Sequence, residues 1–113
     1  MNKYLIIASD ERSYLDLKNV VLELKNRDLP YFFLYNDTKN KFSPAIALDQ
    51  FNYDTNISPS DVSYPSKTLG FGLPFKPTVL LITGENWEPE KTILWEFKQW
   101  GCFIGCIENS TWN

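Results

Sequence analysis

The stretch Lys76-Pro77-Thr78-Val79-Leu80-Leu81-Ile82-Thr83-Gly84-Glu85-Asn86-Trp87 decides the fold class. Val79 to Thr83 is a short apolar run bounded by turn residues, the pattern of a strand buried on both faces. Glu88-Pro89-Glu90 then opens a helix. Proline suits the first helical turn, and acids suit the positive end of the helix dipole. Ile93, Leu94, Phe97 and Trp100 recur at helical spacing and form its apolar face, and Gly101 stops it. Phe103 to Ile107 is a second buried strand. Strand, helix and strand within this span predict a parallel crossover unit.

The N-terminal third repeats the arrangement. Tyr4-Leu5-Ile6-Ile7-Ala8 reads as a buried parallel strand. Ser9 or Asp10 can cap a following helix, in which Tyr14, Leu17, Val20, Val21 and Leu24 share one face. Asp28 and Pro30 end it, and Tyr31 to Tyr35 is the next strand. Asn36-Asp37 marks a turn. Alternating strands and helices predict an α/β domain with a mostly parallel sheet of four to five strands and helices on both faces. Between Thr38 and Lys76 the periodicity is lost. A short helix or strand is expected near Ala45 to Phe51, and a turn or short helix at Ser58 to Ser63.

Composition bounds the function. The 113 residues are 43% hydrophobic and 22% charged, a globular balance for one domain. A net charge of −3 and the absence of any Lys/Arg-rich run argue against nucleic-acid binding. The chain has no histidine, which removes the commonest general base and the commonest metal ligand. The N-terminal apolar run is too short for a signal peptide's core and acids follow at once, so a cytoplasmic protein is expected. No stretch approaches the roughly 18 apolar residues of a membrane span. Asn109-Ser110-Thr111 matches a glycosylation acceptor, which in that setting is coincidence.

In open α/β sheets, ligands bind beyond the carboxyl ends of the strands. Those ends supply Ser9, Asp10 and Glu11; Asn36 and Asp37; Thr83, Gly84, Glu85, Asn86 and Trp87; and Glu108, Asn109 and Ser110. These small, polar or acidic groups suit a hydroxyl-rich ligand. The same residue types are also what caps and turns require at those places. Asp10-Glu11 could hold a cation or a sugar hydroxyl, or act as a cap with favourable charge at a helix start. Acids there would repel a phosphate. Gly70-Phe71-Gly72 lacks the third glycine and the strand-to-helix setting of a dinucleotide fingerprint, so the glycines are read as turn formers. Cys102 and Cys106, about 13 Å apart if extended, are too distant for a disulfide or a shared metal and read as buried thiols. No metal site and no cofactor are expected. Trp87 could stack on a ligand ring or staple the helix start, and exposed Trp95 could contact another domain or subunit. Trp112 would pack only on a following element.

Lys76-Pro77-Thr78-Val79-Leu80-Leu81-Ile82-Thr83, Gly101 and Ile107-Glu108-Asn109 together resemble the N-terminal half of two-domain glycosyltransferases of the GT-B type. Thr78 stands where an acid is common in that family. The resemblance covers about two thirds of the chain and leaves 38–75 unmatched. It implies a three-layer, Rossmann-like domain that shapes an acceptor pocket. A missing C-terminal domain would bind the nucleotide sugar, and the isolated chain would be inactive. A sugar-type acceptor is the implied ligand, and exposed aromatics would serve a homo-oligomer or partner domain. Asp10 and Glu85 are the catalytic candidates by location. A second reading is a degenerate receiver-like signalling or interaction domain, with Asp10-Glu11 after the first strand, Asp49 after Ile46-Ala47-Leu48, and Thr83. Glu108-Asn109 replaces the lysine that phosphotransfer requires, so that module would not accept phosphate.

Overall fold

The computed structural model describes residues 1–8, 11–36, 51–58, 62–83 and 88–107. Strand β1 (Tyr4–Ala8) leads into helix α1 (Glu11–Asn26) and strand β2 (Tyr31–Tyr35). Three short strands follow: β3 (Asn52–Thr55), β4 (Tyr64–Pro65) and β5 (Gly72–Leu73). Strand β6 (Val79–Thr83), helix α2 (Glu88–Gln99) and strand β7 (Phe103–Ile107) close the chain.

Five strands form one sheet in the order β3-β2-β1-β6-β7. The pairs β1–β2, β1–β6 and β6–β7 are parallel, with Tyr4 opposite both Tyr31 and Val79, and Val79 opposite Phe103. Only β3 runs antiparallel, with Phe32 opposite Thr55 and Leu34 opposite Tyr53. The expected mostly parallel α/β sheet is therefore present, as a mixed sheet with one antiparallel edge.

Strand side chains alternate between two faces, and two apolar clusters result. Ile6, Ala8, Tyr31 and Phe33 pack with Leu17, Val21 and Leu24 of α1. Leu5, Ile7, Phe32, Leu34, Leu80 and Ile82 pack with Ile93 and Phe97 of α2. The second cluster also takes in Leu69, Leu73 and Phe75, from the region where sequence periodicity fails. Each β1 residue from Leu5 to Ala8 is fully buried, which explains why the strand is an uninterrupted apolar run.

Both helices end in the same hydrogen-bonded turn. At α1, Leu29 N–H donates to the Leu24 carbonyl at 3.0 Å and Asp28 N–H to Lys25 at 3.1 Å. At α2, Cys102 N–H donates to Phe97 at 3.0 Å and Gly101 N–H to Lys98 at 3.1 Å. This paired pattern requires a left-handed residue just past the helix. Gly101 takes φ +87° without cost, whereas Asp28 takes φ +56° with a side chain.

The expectations for 38–76 fall mostly outside the described residues. The part of Ala45 to Phe51 before Phe51, and residues 59–61 of Ser58 to Ser63, lie outside the described residues. The described part of this region carries no helix. It holds the antiparallel strand β3 and the β4–β5 hairpin, with Tyr64 opposite Leu73 and Pro65 opposite Gly72. Gly70, at φ +81°, turns the hairpin loop, as read from the sequence. The loop is clipped to α2 by one carboxylate. Glu96 accepts from the Ser66 hydroxyl at 2.7 Å and from the Lys67 and Thr68 amides at 3.0 Å each. No described helix is long and apolar enough to cross a membrane.

Candidate functional site: strand ends and an aromatic cavity

The carboxyl ends of β2, β1, β6 and β7 lie side by side along one sheet edge, since these strands are parallel and adjacent. From the central pair, the chain moves outward in opposite directions: β1 to β2 on one side, β6 to β7 on the other. A crevice opens where strand order diverges in this way, and it is the common ligand position of such sheets. Of the strand-end residues singled out from sequence, Glu11, Asn36 and Thr83 fall within the described chain, Glu11 as the first residue of α1. Asn36 is buried, and its N–H donates to the Ala8 carbonyl at 2.9 Å, extending the β1–β2 ladder past its end. Thr83 closes the β6–β7 ladder opposite Ile107. Ser9, Asp10, Gly84, Glu85, Asn86, Trp87, Glu108 and Asn109 lie outside the described residues, as do Asp37, Asp49, Ser110 and Trp112. Among the described residues, no group of three or more Asp, Glu, Cys or His side chains could hold a metal ion.

A cavity of about 710 Å³ lies elsewhere, over β2 and β3 on the α2 side of the sheet. Its floor is Phe32 and Leu34 of β2 with Tyr53 and Thr55 of β3. Its opposite wall is the hairpin, through Val62, Ser63 and Phe71 to Pro74. Phe32 sits at the centre of an aromatic group. The Tyr53 ring stacks on it at 5.3 Å and 11°, and Phe71 leans over it at 5.9 Å and 36°. No charged side chain lines the cavity among the described residues.

Two lining polar residues are spent on holding the floor in place. Thr55 Oγ1 donates to the Tyr31 carbonyl at 2.6 Å and accepts from Ile57 N–H at 3.2 Å. Asn56 accepts from Tyr31 N–H through Oδ1 at 3.0 Å and donates from Nδ2 to the Leu29 carbonyl at 2.8 Å. Ser58, Ser63 and the Tyr53 phenol remain as lining hydroxyls not engaged with other described groups. The hairpin wall is closely built at Gly72, where a Cβ would stand 2.8 Å from Ser63 Oγ.

Among the described residues, three titrating groups are perturbed, and none faces this cavity. Burial, with the hydrogen bond to Asp54 at 3.1 Å, pushes the Tyr31 phenol up to about 12. Burial also raises the Cys102 thiol, against a small opposing pull from Lys76, and its Sγ donates to the Pro77 carbonyl at 3.1 Å. For Glu96 burial acts upward, but the hydrogen bonds from Ser66, Thr68 and Lys67 together outweigh it and hold the carboxyl low. Burial or hydrogen bonding explains each, and none is paired with a nucleophile among the described residues.

Sequence reasoning did not find the cavity. Its signal is present in Tyr31-Phe32-Phe33-Leu34-Tyr35, which is more aromatic than a strand core requires, and in Phe71 flanked by two glycines. What the sequence could not supply is the antiparallel pairing that brings Tyr53 onto Phe32. Comparison of the chain with known protein families, curated proteins and solved structures returns no match.

Proposed function

We propose that this chain is the acceptor-side domain of a nucleotide-sugar-dependent glycosyltransferase of the GT-B type. In this reading it is a three-layer, Rossmann-like domain that lines one wall of a cleft and does not transfer sugar alone. The observation that carries the reading is the divergence of strand order between β1 and β6. Their carboxyl ends feed two segments that carry small polar and acidic residues, 9–11 and 83–87. A hydroxyl-rich acceptor would be held there by hydrogen bonds. Asp10 and Glu85 would be the acids nearest its reacting hydroxyl. The nucleotide sugar would come from a second domain. Trp95 and Phe103, 70% and 73% exposed, offer apolar surface for that domain or for a second copy.

The receiver-like alternative is less well supported. The order β2-β1-β6-β7 suits it, but a receiver connects its second and third parallel strands through a crossover helix. Here the described part of that connection is an antiparallel strand and a hairpin.

Amide NMR titration tests the proposal. Simple glycosides should shift amides at the strand ends, from Ala8, Asn36, Thr83 and Ile107, while nucleotide sugars leave them in place. A nucleotide sugar that binds this chain by itself, or strand-end amides silent to every glycoside tried, would overturn it.

A further inference from the structure

We propose that the cavity between the β2–β3 floor and the β4–β5 hairpin is a binding site for a small, neutral, planar aromatic molecule. The inference is independent of the glycosyltransferase reading and concerns a different part of the surface.

Size is the first argument. At about 710 Å³ the cavity falls within the range that holds drug-sized ligands, roughly 300–1,000 Å³. Ring geometry is the second. Phe32 is buried, and Tyr53 and Phe71 flank it at 5.3 and 5.9 Å, so three ring systems meet in one concavity. A flat aromatic guest can stack on one ring and meet another edge-on, the two arrangements that aromatic quadrupoles favour. A saturated guest of equal size gains the burial but not these contacts. Charge is the third argument. No acid or base lines the site among the described residues, so these residues offer a charged guest no partner for the hydration it would lose. The Thr55 and Asn56 groups are committed to the backbone of β2, which leaves Ser58, Ser63 and the Tyr53 phenol to bond one polar substituent on the guest.

The mouth of the site is apolar as well. Tyr53 of the floor and Val62 of the opposite wall are 65% and 61% exposed. Because the Tyr53 ring also stacks on buried Phe32, the folding of each variant is read alongside binding.

The test uses N-phenyl-1-naphthylamine, a neutral dye that brightens on entering an apolar site. It is followed by displacement with 2-naphthol, its saturated counterpart decahydro-2-naphthol, and 2-naphthoate. One saturable site is expected, with 2-naphthol displacing the dye at least fivefold better than the saturated alcohol and at least tenfold better than the carboxylate. Tyr53→Ser and Val62→Glu should each weaken dye binding fivefold or more, while Trp95→Ser, which lies against α2 instead, should leave it unchanged. Matching urea midpoints among the variants exclude misfolding as the cause. The proposal is overturned by absence of saturable binding, by binding indifferent to Tyr53→Ser and Val62→Glu, or by equal displacement from naphthol and its saturated counterpart. It is also overturned if Tyr53→Ser dissociates a dimer that the dye does not affect, since the face would then belong to a second copy.

Discussion

Replacing Glu96 by alanine removes the acceptor on which the hairpin loop is fastened. The Glu96 carboxylate takes three hydrogen bonds, from Ser66 Oγ at 2.7 Å and from the Lys67 and Thr68 amides at 3.0 Å. Ser66 is buried, its oxygen also accepts from Leu69 N–H at 3.1 Å, and Leu69 is inserted in the core. Losing the carboxylate therefore loosens a core side chain as well as a surface turn. A hydrogen bond to a charged group contributes about 1.5–3 kcal/mol when well shielded. Glu96 is only half-buried, so water competes and about 0.5–1 kcal/mol for each bond is the better figure. The expected loss for Glu96→Ala is then about 2 kcal/mol, or roughly 10 °C in Tm for a domain near this size. Glu96→Gln keeps one carbonyl oxygen but not the second acceptor or the charge, and should cost about 1 kcal/mol. Urea unfolding followed by tryptophan fluorescence reads both values. The pH dependence adds a sign. The folded carboxyl is held low, so its contribution is complete above the ordinary carboxylate range and disappears as pH falls through the depressed value. The stability gap between wild type and Glu96→Gln should hold from pH 7 to 5 and close on further acidification. A loss under 0.5 kcal/mol for Glu96→Ala, or a gap that stays constant down to pH 3, would refute the clip.

Three further outcomes are expected. Asp28→Gly should stabilise the protein by about 0.5–1 kcal/mol in the same urea assay, because Asp28 occupies φ +56°, whereas Gly101→Ala, at φ +87° in the equivalent turn, should destabilise it by about 1 kcal/mol. Raised to about 12, the Tyr31 phenol contributes stability that is fully present below pH 10 and lost as pH rises through 12. Absorbance titration at 295 nm should accordingly show a lagging tyrosine that Tyr31→Phe removes. In a Cys106→Ser background, buried Cys102 should resist a disulfide reagent in the native state and react at once in urea, since only the thiolate attacks.

The parallel half of the fold was legible because burial on both faces leaves a plain mark. Leu5 to Ala8 and Val79 to Ile82 are apolar throughout, and a run of that length between turn residues has few other uses. The helix faces were legible for a similar reason: Leu17, Val21 and Leu24, or Ile93 and Phe97, repeat at the spacing a core demands. Strand β3 was not. Asn52, Tyr53 and Asp54 are exposed and pair on one side with β2, so no apolar pattern announces them. Of the site expected at the strand ends, the described chain carries Glu11, Asn36 and Thr83. The shared edge itself follows from the parallel pairing. Asn36 shows why residue type alone is a weak guide there: its N–H serves the β1–β2 ladder, as any residue's could.

The cavity and the failure of sequence periodicity have one physical origin. A connection between parallel strands usually carries a helix, whose side chains cover a broad strip of sheet and recur every three or four residues. Between β2 and β6, the described cover is instead a hairpin of two residues per strand, which inserts Leu69, Leu73 and Phe75 at uneven spacing. Leu73 also lines the cavity, while Leu69 and Phe75 pack in the same apolar cluster. Phe32 and Leu34 on β2 face this side, and the antiparallel β3 widens the floor with Tyr53 and Thr55. A narrow cover over a widened floor leaves space, and the space is aromatic because β2 is. Placing a bulkier residue on the hairpin wall should therefore fill the cavity rather than unfold the domain. Leu73 and Phe75 are already packed into the core, while the Val62 side chain is exposed. Val62→Trp is expected to reduce dye binding with no loss in urea midpoint. A drop of more than about 1 kcal/mol, the scale of overpacking a closed core, would mean the space is not open to a guest.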